Sequence, residues 1–259
     1  MYKKEEVIKI DKMTLRCWSY RHSQSANKIP FVLLHEGLGC LELWRDFPEQ
    51  LAKRTRRDVY LFERFGHGKS GKLDGRPDPH YQAREARDVL PVMLDKTGIE
   101  RALFYGHSDG GTIALLFAAG HPEKAAGIIS VAAHVLGDPT SLAGIKKAIS
   151  AYENGSLRDK MKVYHGDATD GMFWRWARTW TDPRFRDWNI LNELPCITCP
   201  VLAIQGELDE YGEAAQVKTI AENVSGRSDL MLIPNCRHIP HLEFPALILH
   251  KVDLFARSI

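Results

Sequence analysis

Short apolar runs alternate along this chain with longer stretches of helical periodicity, the pattern of parallel strands joined by helical crossovers. Lys4 to Ile10 and Thr14 to Arg21 predict an opening strand pair. Further strands are predicted at Phe31-Val-Leu-Leu34, Asp58-Val-Tyr-Leu-Phe62, Ala102-Leu-Phe-Tyr105, Gly127-Ile-Ile-Ser-Val-Ala132, Val201-Leu-Ala-Ile-Gln205 and Leu230-Met-Leu-Ile233. These later strands are largely apolar on both faces, as a sheet covered on both sides requires. Helical periodicity marks Pro79 to Lys96, Asp109 to Ala119 and Ala246 to Ala256. The expected fold class is α/β, with a mostly parallel eight-stranded sheet and helices on both faces.

The rhythm breaks between Ala133 and Val201, an interval too long for an ordinary crossover and without a convincing strand. It predicts an insertion: residues 1–134 and 196–259 form the core, and 135–195 form a helical, Trp-rich cap. Trp174, Trp176, Trp180 and Trp188 lie there with Phe173 and Phe185. They predict either a small helical core or a lid whose inner face lines an apolar pocket, with Trp174, Trp176 and Trp180 as candidate substrate contacts.

Composition narrows the partners. The 259 residues are 44% hydrophobic and 26% charged, the mixture of an ordinary globular chain. With 35 basic and 33 acidic residues the formal net charge is +2, so the chain as a whole has no electrostatic drive toward nucleic acid or anionic membranes. A small-molecule substrate fits better, and a homodimer is compatible with this composition. The start lacks the features of a secretory signal, and no apolar run approaches the length of a membrane span, so the expected location is cytoplasmic. Cys17, Cys40, Cys196, Cys199 and Cys236 do not form a disulfide framework, and Cys196-Ile-Thr-Cys199 reads as two thiols entering a strand.

The chemistry gathers at strand ends. Gly106-His-Ser108-Asp-Gly110 stands where the strand ending at Tyr105 turns into a helix. A serine there is exposed above the sheet, beside helix N–H groups that favour developing negative charge. A serine nucleophile needs a base, and the base needs an acid to orient it. Asp209 follows the strand Val201 to Gln205, and His238 and His241 follow Leu230 to Ile233, so acid and base come after the serine in the order Ser, Asp, His.

These segments, together with His238-Ile-Pro-His241-Leu-Glu-Phe-Pro245, resemble the α/β-hydrolase superfamily over nearly the whole chain except the Trp-rich insert. The resemblance implies an α/β-hydrolase fold with Ser108 as nucleophile, His238 rather than His241 as base, and Asp209 as orienting acid. Glu207 and Glu210 are alternatives to Asp209, although register with the family's Gly-x-x-Asp turn favours Asp209. It further implies an oxyanion hole from the backbone N–H groups of Gly37 and Asp109. Glu36 departs from the common His-Gly pair at that loop, and its carboxylate is expected to turn away, toward Arg45 or Arg64. No cofactor is implied, and no metal-ligand spacing is present. Gly66-His-Gly-Lys-Ser70 reads as a turn, and His35 and His107 as bracing residues. The serine argues against the superfamily's epoxide hydrolases and dehalogenases, whose nucleophile is a carboxylate. An esterase or lactonase of small carboxylic esters is the favoured activity; a carbon–carbon hydrolase, a cofactor-free dioxygenase and a non-catalytic ligand sensor are the alternatives.

Overall fold

A computed structural model describes all of the chain except Asn27, Asp74 and Gly75. Strands β1 (Tyr2–Ile10), β2 (Met13–Arg21), β3 (Phe31–Leu34), β4 (Val59–Phe62), β5 (Ala102–His107), β6 (Ala125–Val131), β7 (Val201–Gly206) and β8 (Ser228–Ile233) form one sheet. Its order is β1-β2-β4-β3-β5-β6-β7-β8. β1 pairs antiparallel with β2 and β2 antiparallel with β4, while every other pairing is parallel. The antiparallel hairpin sits at the edge and the parallel strands fill the interior.

Alternation along each strand divides the core into two layers. Phe31 and Leu33 of β3, with Leu103 and Tyr105 of β5, pack under α1 (Phe47–Thr55) and, past α9 (Pro240–Glu243), α10 (Pro245–Arg257). Val32, Leu34 and Phe104 face the opposite layer, beneath α4 (Asp109–Gly120) and α8 (Ala215–Asn223). Both sides of the sheet are thus removed from water, which explains why the parallel strands read as unbroken apolar runs.

The helix predicted from Pro79 spans residues 81–97, and it is not uniform. α2 (Tyr81–Arg84) and α3 (Leu90–Thr97) flank a π-helical segment at Glu85–Val89. Pro91 lacks an N–H and its ring collides with the carbonyl a turn earlier, so the wider π turn lets the helix continue past it. Between β6 and β7 run α5 (Pro139–Asn154), α6 (Leu157–His165) and α7 (Thr169–Thr181). Asp138 caps α5 by accepting from the N–H of Ser141 at 2.6 Å, and a bridge between Leu136 and Asn189 closes the neck of the segment. Two small clusters hold it together: Tyr152 stacks on Phe173, and Ile145, Trp180 and Phe185 pack with Trp188. Among the described residues no helix is long and apolar enough to cross a membrane. Cys196 is exposed, Cys199 is buried and all five cysteines are free.

Candidate active site

The turn from β5 into α4 is built by its glycines. A Cβ on Gly106 would lie 2.2 Å from the Gly110 carbonyl oxygen, and one on Gly110 would lie 2.0 Å from that of Leu34. Only bare backbone permits so close an approach of strand and helix. Ser108, at the apex, takes φ +52° and ψ −118°, a strained conformation held by its N–H donating to the Val131 carbonyl at 2.8 Å. This places Ser108 at the N-terminus of α4 and in the wall of a cavity of about 170 Å³.

Asp209 and His238 arrive from the ends of β7 and β8. His238 Nδ1 donates to Asp209 Oδ1 at 2.8 Å. The same oxygen accepts from the Tyr211 N–H at 2.9 Å, and Oδ2 accepts from Gln205 Nε2 at 3.2 Å. Burial alone would raise the Asp209 carboxyl, but the bonds from His238 and Tyr211 hold it below the ordinary carboxylate value. Burial would equally depress His238, yet the hydrogen bond and charge of Asp209 prevail and raise it. Glu207 is exposed and Glu210 faces Arg237, so neither alternative acid is placed on the imidazole. His238 lines the same cavity as Ser108, although among the described residues the Ser108 hydroxyl makes no hydrogen bond.

Gly37 lies in the loop after β3, pressed against the Trp176 indole, where a Cβ would come within 2.4 Å of Nε1. Among the described residues the N–H groups of Gly37 and Asp109 donate no hydrogen bond, nor does that of Leu38. The Asp109 carboxylate lies close to Gly37 and is held by its neighbours. It accepts from Tyr81 Oη at 2.6 Å and Gln82 Nε2 at 3.1 Å, and pairs with Arg64 Nη1 at 3.5 Å. Tyr81 in turn accepts from Trp180 Nε1 at 3.1 Å, which ties α7 to the serine turn. His165 of α6 adds a second tie, accepting from the Gly68 N–H at 2.9 Å.

Glu36 is placed otherwise than the sequence suggests. Its carboxylate does not reach Arg45 or turn from the site; it lines the cavity and faces His107 Nδ1 at 3.3 Å. Arg64 is already engaged by Asp109 and donates to the Glu36 backbone carbonyl at 2.6 Å, while Gly39, lacking a side chain, leaves room for the carboxylate to fold over it. His35 is a brace, with Nδ1 on the Glu36 carbonyl at 2.8 Å and Nε2 accepting from the Arg64 N–H at 3.0 Å. His241 packs among Trp44, Phe47, Tyr105 and His107, away from the cavity lining.

Trp176 and Trp180 line the cavity, whereas Trp174 packs on Tyr152 and Phe173 beneath Arg178 and does not reach it. An α-helix turns by 100° per residue, so Trp176 and Trp180, four apart, share a face that Trp174 leaves. Sequence reasoning missed Tyr211, whose ring lies 4.7 Å from that of His238, and Ile145, which also lines the cavity. Tyr211 is only two residues beyond Asp209, a signal available in the sequence. Ile145 had none.

The Gly66 to Ser70 turn closes on the buried carboxyl group of Glu63, which burial pushes above its ordinary value. The N–H groups of Lys69 and Ser70 converge on Glu63 Oε1 at 2.8 and 3.0 Å, while Oε2 accepts from Leu41 N and Arg16 Nη1, both at 3.3 Å. Cys40, Glu42 and Glu63 approach as a metal-binding trio would, but the Glu63 oxygens are saturated by these bonds, which disfavours an ion there.

A sequence profile described as alpha/beta hydrolase fold matches residues 29–152. With the sheet order and the serine turn, this shows that the chain has the α/β-hydrolase fold. It is 26% identical over 209 residues to the serine hydrolase BPHL of Homo sapiens, covering 77% of this chain and 70% of that protein. It is 36% identical over 112 residues to a pimeloyl-acyl-carrier-protein methyl ester esterase of Edwardsiella ictaluri, covering 43% of this chain and 39% of the relative. The chain spans about a third of the length of several other curated relatives. The enol-lactonase of Burkholderia xenovorans LB400 shares the fold with a TM-score of 0.78 at 19% identity, over 98% of this chain and all of that one.

Proposed function

We propose that the protein is a serine hydrolase that cleaves a small carboxylic ester or lactone through an acyl-enzyme on Ser108. The observation that carries this reading is the buried 2.8 Å bond from His238 Nδ1 to Asp209, at the wall of the cavity that Ser108 also lines. With Nδ1 carrying the proton, Nε2 presents a lone pair and is the atom free to act as base.

In the proposed reaction His238 Nε2 takes the Ser108 proton as Oγ attacks the substrate carbonyl. Asp209 stabilises the imidazolium, and the N–H groups of Gly37 and Asp109 hold the oxyanion. The imidazolium then gives its proton to the leaving alkoxide. Water repeats the sequence on the acyl-enzyme, releasing the acid and restoring Ser108. The contact between nucleophile and base is often long until substrate is seated. The small volume and the walls from Leu38, Ile145, Trp176 and Trp180 favour a compact, apolar acyl group. In this reading residues 135–195 are the cap, and a methyl ester esterase and an enol-lactonase among the similar proteins support the bond class. Free thiols and a near-balanced charge support a cytoplasmic enzyme acting on a small molecule.

The test is a hydrolysis screen over short-chain esters, thioesters, lactones and vinylogous diketones, with Ser108→Ala alongside. The expected result is ester or lactone turnover that falls by at least about 10⁴-fold in Ser108→Ala, and fluorophosphonate labelling of Ser108. Turnover retained in Ser108→Ala refutes the assignment. Tight ligand binding without turnover supports a sensor, and oxygen uptake without labelling supports a dioxygenase.

A further inference from the structure

His107 Nε2 lies 2.8 Å from the backbone carbonyl oxygen of His238. A carbonyl only accepts, so Nε2 carries a hydrogen. The other nitrogen, Nδ1, faces Glu36 Oε2 at 3.3 Å. An ionised carboxylate also only accepts, so a neutral His107 would set lone pair against lone pair there. A second proton must lie in that contact.

The surroundings decide where its charge resides. The titratable and charged groups around the pair are His35, Arg64, Asp109, His165, His238 and His241. Burial keeps His35, His165 and His241 neutral, pushing His35 down to about 3. Arg64 is committed to Asp109 and to a backbone carbonyl. His238 must be neutral to serve as base. Among the described residues His107 is the group placed to balance Glu36, and its hydrogen bond holds that carboxyl far below its ordinary value even though burial opposes ionisation.

We infer that Glu36 and His107 form a carboxylate–imidazolium positioning pair that clamps the backbone of His238 and neutralises an anion lining the catalytic cavity. The inference rests on the proposed roles of Ser108 and His238. It also accounts for a glutamate beside oxyanion donors: paired with His107, Glu36 contributes no net charge there. Without the pairing the carboxylate would put one negative charge beside the cavity, which opposes the developing oxyanion.

Two measurements test this. In protein labelled with ¹⁵N-histidine, with His107 assigned by its loss in His107→Gln, both ring nitrogens of His107 should carry hydrogens at the pH of maximal activity. A single hydrogen on that ring overturns the inference, and this readout needs neither turnover nor a folded Glu36 variant. The second is kcat/KM for a neutral ester at one fixed pH. In His107→Gln, which leaves the carboxylate unbalanced, it should fall by about tenfold or more, whereas the double variant Glu36→Gln/His107→Gln, with no anion left, should recover to within about threefold of the unmodified protein. A double variant as slow as His107→Gln overturns the inference. Retained turnover in Ser108→Ala would remove the proposed nucleophile yet leave the histidine spectrum to decide on the pair.

Discussion

Replacing Asp209 by asparagine changes one buried oxygen into an amide nitrogen with almost no change of shape. The site has fixed donors on both sides of that carboxylate: the N–H of Tyr211 and His238 Nδ1 at Oδ1, and Gln205 Nε2 at Oδ2. Gln205 cannot simply turn over, because its Nε2 also donates to the Gly212 carbonyl at 2.7 Å. If the asparagine oxygen stays toward His238, its NH₂ meets Gln205; if it flips, its NH₂ meets Tyr211 N–H and His238 Nδ1. Either orientation leaves a buried donor unmet, costing about 1–3 kcal/mol of stability. The flipped form also stabilises the His238 tautomer with hydrogen on Nε2, which cannot accept the serine proton. A triad acid replaced in this way typically lowers kcat by about 10⁴-fold, or roughly 5.5 kcal/mol of transition-state stabilisation. Asp209 raises the His238 pKa, so its removal should also shift the acid limb of kcat/KM to lower pH. Initial rates on p-nitrophenyl acetate across a pH series, with circular dichroism to verify folding, measure both. A folded variant within about tenfold of the unmodified rate, or an acid limb that stays in place, would refute the reasoning.

In the unmodified protein kcat/KM should rise as His238 loses its proton, with an apparent value above the ordinary imidazole range because Asp209 favours the charged form; a midpoint below that range contradicts the assignment. Gly110→Ala drives a methyl group to 2.0 Å from the Leu34 oxygen and should destabilise by about 3 kcal/mol or more, read as a Tm lowered by roughly 6–10 °C; an unchanged Tm means that strand and helix can separate without penalty. Trp176→Ala removes a wall of the cavity and should raise the ratio of kcat/KM for bulky over small acyl esters by about tenfold; an unchanged ratio removes Trp176 from the substrate wall. Glu63→Ala leaves the N–H groups of Leu41, Lys69 and Ser70 without their acceptor, while Arg16 keeps Glu42, and should destabilise by about 2–5 kcal/mol in denaturant titration; an unchanged stability means that these N–H groups find other acceptors.

Much of the architecture follows from local rules acting on the chain itself. Strands buried on both faces must be apolar at successive positions, so Phe31–Leu34 and Val201–Gly206 declare themselves without reference to any partner. The serine turn is equally local, because Gly106 and Gly110 are needed where backbone passes backbone. Helix α7 is legible as an aromatic helix, and its four-residue spacing already separates Trp176 and Trp180 from Trp174.

What surrounds the turn is decided by the tertiary structure. The acid that reaches His238, Asp209 rather than Glu207 or Glu210, depends on how the ends of β7 and β8 are set side by side, and an ionic partner of Glu36 separated by 71 positions cannot be found by reading neighbours. The Glu36 carboxylate meets His107 rather than Arg45 or Arg64, while Arg64 reaches Asp109 and the Glu36 carbonyl, a set of contacts among groups that are distant in the chain. Periodicity is a property of successive residues and survives in the sequence. Pairing of buried charges is a contest for a few donors at one point in space, and only the folded chain holds all the competitors together.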